Sequence, residues 1–122
     1  MDEPPVQIKY YSSSLAERGL MIMLIDRFLA WAPEHLRKIQ RLLHSGERKE
    51  ALAIAGLFLD LAGLLYASRI EVLLVILRHR INQDVEGDPL ETCARIRREL
   101  LVLRRFRDSI QSRGPRELSG GA

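Results

Sequence analysis

The sequence predicts an all-α, antiparallel up-and-down bundle of four main helices, with one additional short helical piece at the N-terminal end. Three observations carry this. Apolar residues recur at three- and four-residue spacing along most of the chain, and nowhere in the period-two alternation of a strand. The breaks between the periodic segments are short, which makes neighbouring helices antiparallel. The chain has 122 residues, 47% hydrophobic and 29% charged, the size and composition of one globular domain able to bury a core.

Residues 1–13, with Pro4, Pro5 and few periodic apolar positions, read as an extended arm. Ser14-Leu-Ala-Glu17 is a capping-box pattern and opens the first helix. That helix places Ile22, Ile25, Phe28 and Leu29 on one face, with Trp31 near its end. Pro33 has no N–H to donate to the carbonyl of residue 29, so the helix is expected to stop or kink there, with Pro33 opening the next. The second helix carries Leu36, Ile39 and Leu43 inward and ends at Ser45-Gly46, since glycine takes the left-handed conformation cheaply. A third runs from about Glu47 to Ala67, and a fourth starts near Ser68 with the stripe Ile70, Leu73, Leu74, Leu77, Ile81. Residues 82–89 (NQDVEGDP) form a turn, with Asp88 as cap and Pro89 as first helical residue. The last helix spans about 90–112, with Ile96, Leu100, Leu103, Phe106 and Ile110 inward, and residues 113–122 read as a flexible tail. The bundle thus occupies residues 14–112, and there is no internal repeat.

The composition also excludes function classes. The single cysteine, Cys93, rules out an internal disulfide and a multi-cysteine zinc site, and His35, His44 and His79 are too scattered for a metal motif. No GxGxxG or Walker A loop is present, no catalytic triad or carboxylate pair stands out, and no cofactor or metal is implied. The start Met1-Asp-Glu-Pro-Pro lacks the basic and apolar regions of a signal peptide. The most apolar run, 51–67, is short for a membrane span and is interrupted by Asp60. These features, with an unpaired cysteine, lead us to expect a cytoplasmic protein with no membrane segment.

Residues 46–70 resemble the histidine phosphotransfer (Hpt) domain of bacterial phosphorelays. Gly46-Glu47 stands at the family's G-[DE] start, and Phe58, Ala62, Leu65, Ala67 and Ile70 fall at its apolar and small positions. Upstream, Phe28, Pro33 and Leu36 follow the family's F…P…L, so the resemblance covers about residues 20–110. The departures bear on chemistry. Gly56 stands where the family has its phosphorylated histidine, Leu59 where it has lysine, Asp60 where a glycine follows, and Tyr66 at a later glycine. The resemblance therefore implies a degenerate member, an interaction module and not an enzyme, because Gly56 has no nucleophile and Leu59 cannot neutralise a phosphoryl group.

In that family the corresponding helix face docks a receiver domain. Here the docking set reads Gly56, Leu59, Asp60, Gly63, Leu64 and Ala67, with a receiver domain, histidine kinase or other regulator as partner. Glycines inside a helix also serve to let neighbouring helices pack closely, which is the competing account of Gly56 and Gly63. A second reading is phosphotransfer through another histidine: His79 between Arg78 and Arg80, or His44 at a helix end, both of which read equally as solvated basic positions. A third is a small helical chaperone or subunit of a secretion or regulatory assembly, with a homodimer through the apolar face as one form. The last helix carries Arg95, Arg97, Arg98, Arg104, Arg105 and Arg107, but without a helix-turn-helix spacing or interleaved aromatics an acidic protein surface ranks above nucleic acid as its partner. Cys93, in the first turns of that helix, reads as a packing residue, and His35 as an ordinary surface residue.

Overall fold

The computed structural model describes residue 5 and residues 15–118, with side chains described for residue 5 and residues 19–110. Four helices make up the described chain: α1 (Leu15–His44), α2 (Arg48–Leu64), α3 (Ser68–Ile81) and α4 (Pro89–Leu118). Each packs against its neighbours in sequence, and α4 closes the ring onto α1. At about 1.5 Å per residue, α1 and α4 are about 45 Å long, roughly twice the length of α2 and α3. The short helices therefore cover only the half of the long pair nearest the α1–α2 turn. The arm and the Ser14 cap fall, Pro5 apart, outside the described residues.

Two expectations about helix ends are corrected. Pro33 neither stops nor divides the first helix: α1 runs through it as one element of 30 residues, so the described residues show no separate helix before it. Proline deletes one hydrogen bond, but the buried stripe Ile25, Leu29, Ala32, Leu36, Ile39 runs in register on both sides of it. Burying that stripe outweighs a local cost of about 3 kcal/mol. Likewise α4 passes Gly114 and Pro115 and reaches Leu118, into the stretch expected as tail. Each proline again removes a single donor from the ladder without ending it.

The reversals share one mechanism. At the end of α1, Glu47 N–H donates to the Leu42 carbonyl (2.8 Å) and Gly46 N–H to that of Leu43 (3.2 Å), with Gly46 at φ 78°. The same pair of bonds ends α2, from Ala67 to Ala62 (3.0 Å) and Tyr66 to Gly63 (3.1 Å), and α3, from Asp84 to His79 (2.9 Å) and Gln83 to Arg80 (3.1 Å). All three are Schellman closures, which need a left-handed residue. Glycine supplies it once; Tyr66 (φ 56°) and Gln83 (φ 64°) adopt it against the usual steric cost.

The α3–α4 loop is held by Arg80. Its Nη1 donates to Thr92 Oγ1 (2.7 Å) and its Nε to the Glu86 carbonyl (3.2 Å), while the guanidinium lies against the backbone of Gly87, where a Cβ would collide with it. The Arg78-His79-Arg80 end is thus not uniformly solvated, because Arg80 turns back over the loop. Asp88 caps α4 as expected, accepting from Leu90 N–H at 2.9 Å. At the other end of the long pair, Arg107 grips Asp26 through two bonds of 2.6 and 2.9 Å, and the guanidinium holds the Asp26 carboxyl below its ordinary pKa.

Cys93 is fully buried beneath α4's first turns. Burial pushes its thiol from an ordinary 9.0 up to about 11, against the opposing charge of Arg97 and with a smaller push from Asp88. Between those values the unfolded chain gives up the proton and the folded chain keeps it, so this thiol lowers stability as pH rises from 9 to 11. Denaturant titrations at stepped pH should show this extra fall, at most about 1.4 kcal/mol per pH unit, in the native chain and not in Cys93→Ala. Gln83→Gly should raise the melting temperature, because it removes left-handed strain of about 1–2 kcal/mol for a smaller entropic loss.

Candidate functional site

On α2 the residues Ala51, Ala55, Phe58 and Ala62 are buried. Phe58 sits edge-on to Phe28 (centroids 5.6 Å) and to Trp31 (5.1 Å), which fixes the rotation of α2 against α1. With that side inward, Ala53, Gly56, Leu57, Asp60 and Leu64 turn outward, since residues three and four apart share a helix face.

Of the expected docking residues, Gly56, Asp60, Gly63 and Leu64 lie on or beside this outward face. Asp60 is exposed, Gly56 and Gly63 are half-buried, and Leu64 is 74% exposed. Leu59 is half-buried at the α3 edge, where it lines a groove of about 370 Å³ with Val72, Val75 and Ile76. Ala67 is a correction: the chain has already reversed at Tyr66, and Ala67 is completely buried as the residue preceding α3. The expectation failed there because the helical spacing was extended past the end of α2.

The glycines do not serve packing within the bundle. A Cβ built at Gly56 meets nothing within 4 Å, and one at Gly63 meets only Glu71 Oε2 at 3.8 Å, an ordinary contact. No neighbouring helix approaches either backbone closely enough to require glycine.

Several apolar residues at this surface escape the sequence reading. Leu57 is 50% exposed on the outward face, and Leu24, Phe28, Trp31 and Leu61 line, with Arg27 and the expected Leu64, a second groove of about 280 Å³ between α1 and α2. Val72 (59% exposed) and Val75 stand on the outside of α3. The signal was available in Val72 and Val75, an apolar pair three apart that falls off the buried stripe of α3.

The histidines occupy unlike settings. His79 is exposed, with Nδ1 3.3 Å from Asp84 Oδ2, and Arg80 is directed away from it into the loop. His44 is exposed in the last turn of α1. His35 is not an ordinary surface residue: its ring stacks on Trp31 at 3.9 Å, and its Nδ1–H donates to the Trp31 carbonyl at 2.9 Å. Beyond Lys49 and Glu50 in its first turn, the outward face of α2 carries Asp60 as its one titratable side chain. No group of three or more His, Cys, Asp or Glu among the described residues is arranged to hold a metal ion. No helix there is long and apolar enough to cross a membrane.

The fold is a helical bundle and the candidate site is a partly apolar helix face with two grooves beside it. Comparison with known proteins finds no matching family model, no matching curated protein and no matching solved structure.

Open space at residue 56 sets the first expectation for this face. Gly56→Ala should stabilise the fold by about 1 kcal/mol, the propensity difference with no steric penalty, read as a higher melting temperature. A loss of stability would show that the helix needs glycine there for internal reasons.

Proposed function

We propose that this chain is a non-catalytic, Hpt-like interaction module, which regulates a two-component or related phosphorelay system by docking a receiver domain, a histidine kinase or another regulator on the outward face of α2. The observation that carries the reading is Gly56: where the resemblance has its phosphoacceptor histidine, the chain has open surface and no nucleophile. A second observation supports it. Tyr66, at the position of the later family glycine, adopts the left-handed conformation for which glycine is suited.

Such a module acts by occupancy. It holds a partner's surface without a covalent step, so it competes for or scaffolds that partner. The mixed face suits this role: Leu57 and Leu64 supply apolar area, Asp60 a mid-helix charge that fixes register, and Gly56 lets a partner approach the backbone.

Phosphotransfer through His79 is the rival with an observation of its own, since Asp84 beside Nδ1 would leave Nε2 facing solvent. His44 has exposure alone in its favour. A chaperone or assembly subunit, or a homodimer, would use the apolar grooves instead.

One experiment separates these readings. Purified protein is titrated with receiver domains and kinase domains by calorimetry, then incubated with the phosphorylated receivers and weighed by mass spectrometry. We expect binding without phosphate gain, and at least tenfold weaker binding by Gly56→Arg with unchanged circular dichroism. A phosphohistidine at His79 or His44 would establish transfer, and a dimer by light scattering with no partner binding would favour the assembly reading.

A further inference from the structure

A neighbouring surface, which shares Val72 and Ile76 with the Leu59 groove but opens toward α4, carries its own charge pattern. A groove of about 490 Å³ runs between α3 and α4, with Val72, Leu73 and Ile76 as an aliphatic floor and Arg69, Arg95 and Arg98 along its rim. Glu99 is the single acid in the lining, so three arginines against one glutamate give the groove a net charge of +2.

The pairing of the arginines decides what the groove can take. Helix spacing offers Arg95 two carboxylates, Glu91 and Glu99, each four residues away. Both are drawn across to α3: Glu91 lies 3.5 Å from Arg80, and Glu99 2.7 Å from Arg69. The guanidinium groups of Arg95 and Arg98 make no hydrogen bond or ion pair among the described residues, and both residues are exposed. Elsewhere on α4, Arg107 is paired with Asp26 and Arg97 is hydrogen-bonded to the neutral Gln40, while Arg104 and Arg105 are exposed away from the groove; what sets Arg95 and Arg98 apart is that they stand beside an aliphatic floor.

We propose that the α3–α4 groove docks an acidic amphipathic helix of a protein partner, with two aliphatic side chains about one turn apart on Val72, Leu73 and Ile76 and carboxylates on Arg95 and Arg98. Two antiparallel helices form a trough that a third helix fills by ridge-into-groove packing. The paired charges steer the approach and set the orientation, while the aliphatic floor supplies the apolar contact. Nucleic acid fits less well, because the lining offers arginines without an aromatic platform and an aliphatic floor has no complement in a sugar–phosphate chain.

The test uses three synthetic helical peptides: one with leucines at i, i+4 and i+7 flanked by glutamates, one with lysines replacing the glutamates, and one with alanines replacing the leucines. Binding to the full chain is followed by calorimetry and by amide chemical shifts. We expect the Glu/Leu peptide alone to bind, with shifts confined to residues 68–76 and 91–99. Binding should weaken with added salt, and Arg95→Glu/Arg98→Glu should weaken it at least tenfold while rescuing the lysine peptide. Val72→Asp, a surface change, should also abolish binding with circular dichroism unchanged. Absence of binding by the Glu/Leu peptide, equal binding of the lysine peptide, shifts centred on α2, or preference for a single-stranded oligonucleotide would each overturn the proposal. None of those outcomes bears on receiver binding to α2, which Gly56→Arg reads separately.

Discussion

The rotation of α2 about its own axis is the constraint on which the reading of this molecule rests. Three alanines and one phenylalanine form its inward stripe, and Phe58 alone has the bulk to set the angle. Its ring is wedged edge-on against both Phe28 and Trp31, with no exposed surface. A turn of α2 by one residue would bring either Leu52, Gly56, Leu59 and Gly63 or Glu50, Ile54, Leu57 and Leu61 inward, and would leave a void at Phe58. Losing a buried aromatic of this kind costs about 3–5 kcal/mol, a large share of a small domain's stability. The small alanines keep the helices close, and the large ring keeps them in register, so the outward placement of Gly56 is fixed by packing.

Much of this architecture is legible in the sequence. The stripes of α3 and α4 are read correctly because their buried positions follow the 3.6-residue period: Ile70, Leu73, Leu74, Leu77, Ile81 and then Ile96, Leu100, Leu103, Ile110 are all buried. The α3–α4 turn is readable for the same local reason, since Asp88-Pro89 is a cap followed by a proline at the first position. Pro33 misleads because its cost is local and visible, whereas the offsetting burial is tertiary and lies on both sides of it. Tyr66 and Gln83 mislead in the opposite sense: nothing in either residue type announces a left-handed turn, and only the closing hydrogen bonds reveal that the backbone needs one. Ala67 belongs to that error, because a face extended along one helix cannot survive an unmarked reversal.

The surface is less legible than the core, and the arginines show why. Sequence spacing pairs Arg95 with Glu91 and Glu99 on its own helix, an arrangement that would leave α4 electrically quiet. The fold instead directs both acids to α3, Glu99 to Arg69 at 2.7 Å and Glu91 to Arg80 at 3.5 Å, with Arg80 held in place by Thr92 and the Glu86 carbonyl. An interhelical contact thereby stabilises the bundle and frees a charge elsewhere. Period and propensity carry no information about that exchange, because it depends on which helix lies beside which.

The glycines of α2 lead to the same kind of conclusion from energetics. Each costs about 0.8–1.0 kcal/mol in a helix interior relative to alanine, and a domain of this size has only about 5–15 kcal/mol to spare. Among the described residues nothing offsets that cost at Gly56: no atom comes within 4 Å of an added Cβ, and no left-handed angle is required. Cys93, Phe58 and the alanines of α2 all have their identity explained by what surrounds them; Gly56 does not. A residue whose cost is not recovered inside the fold points to a contact outside it, and close approach of another backbone is the contact for which the absence of a side chain is suited.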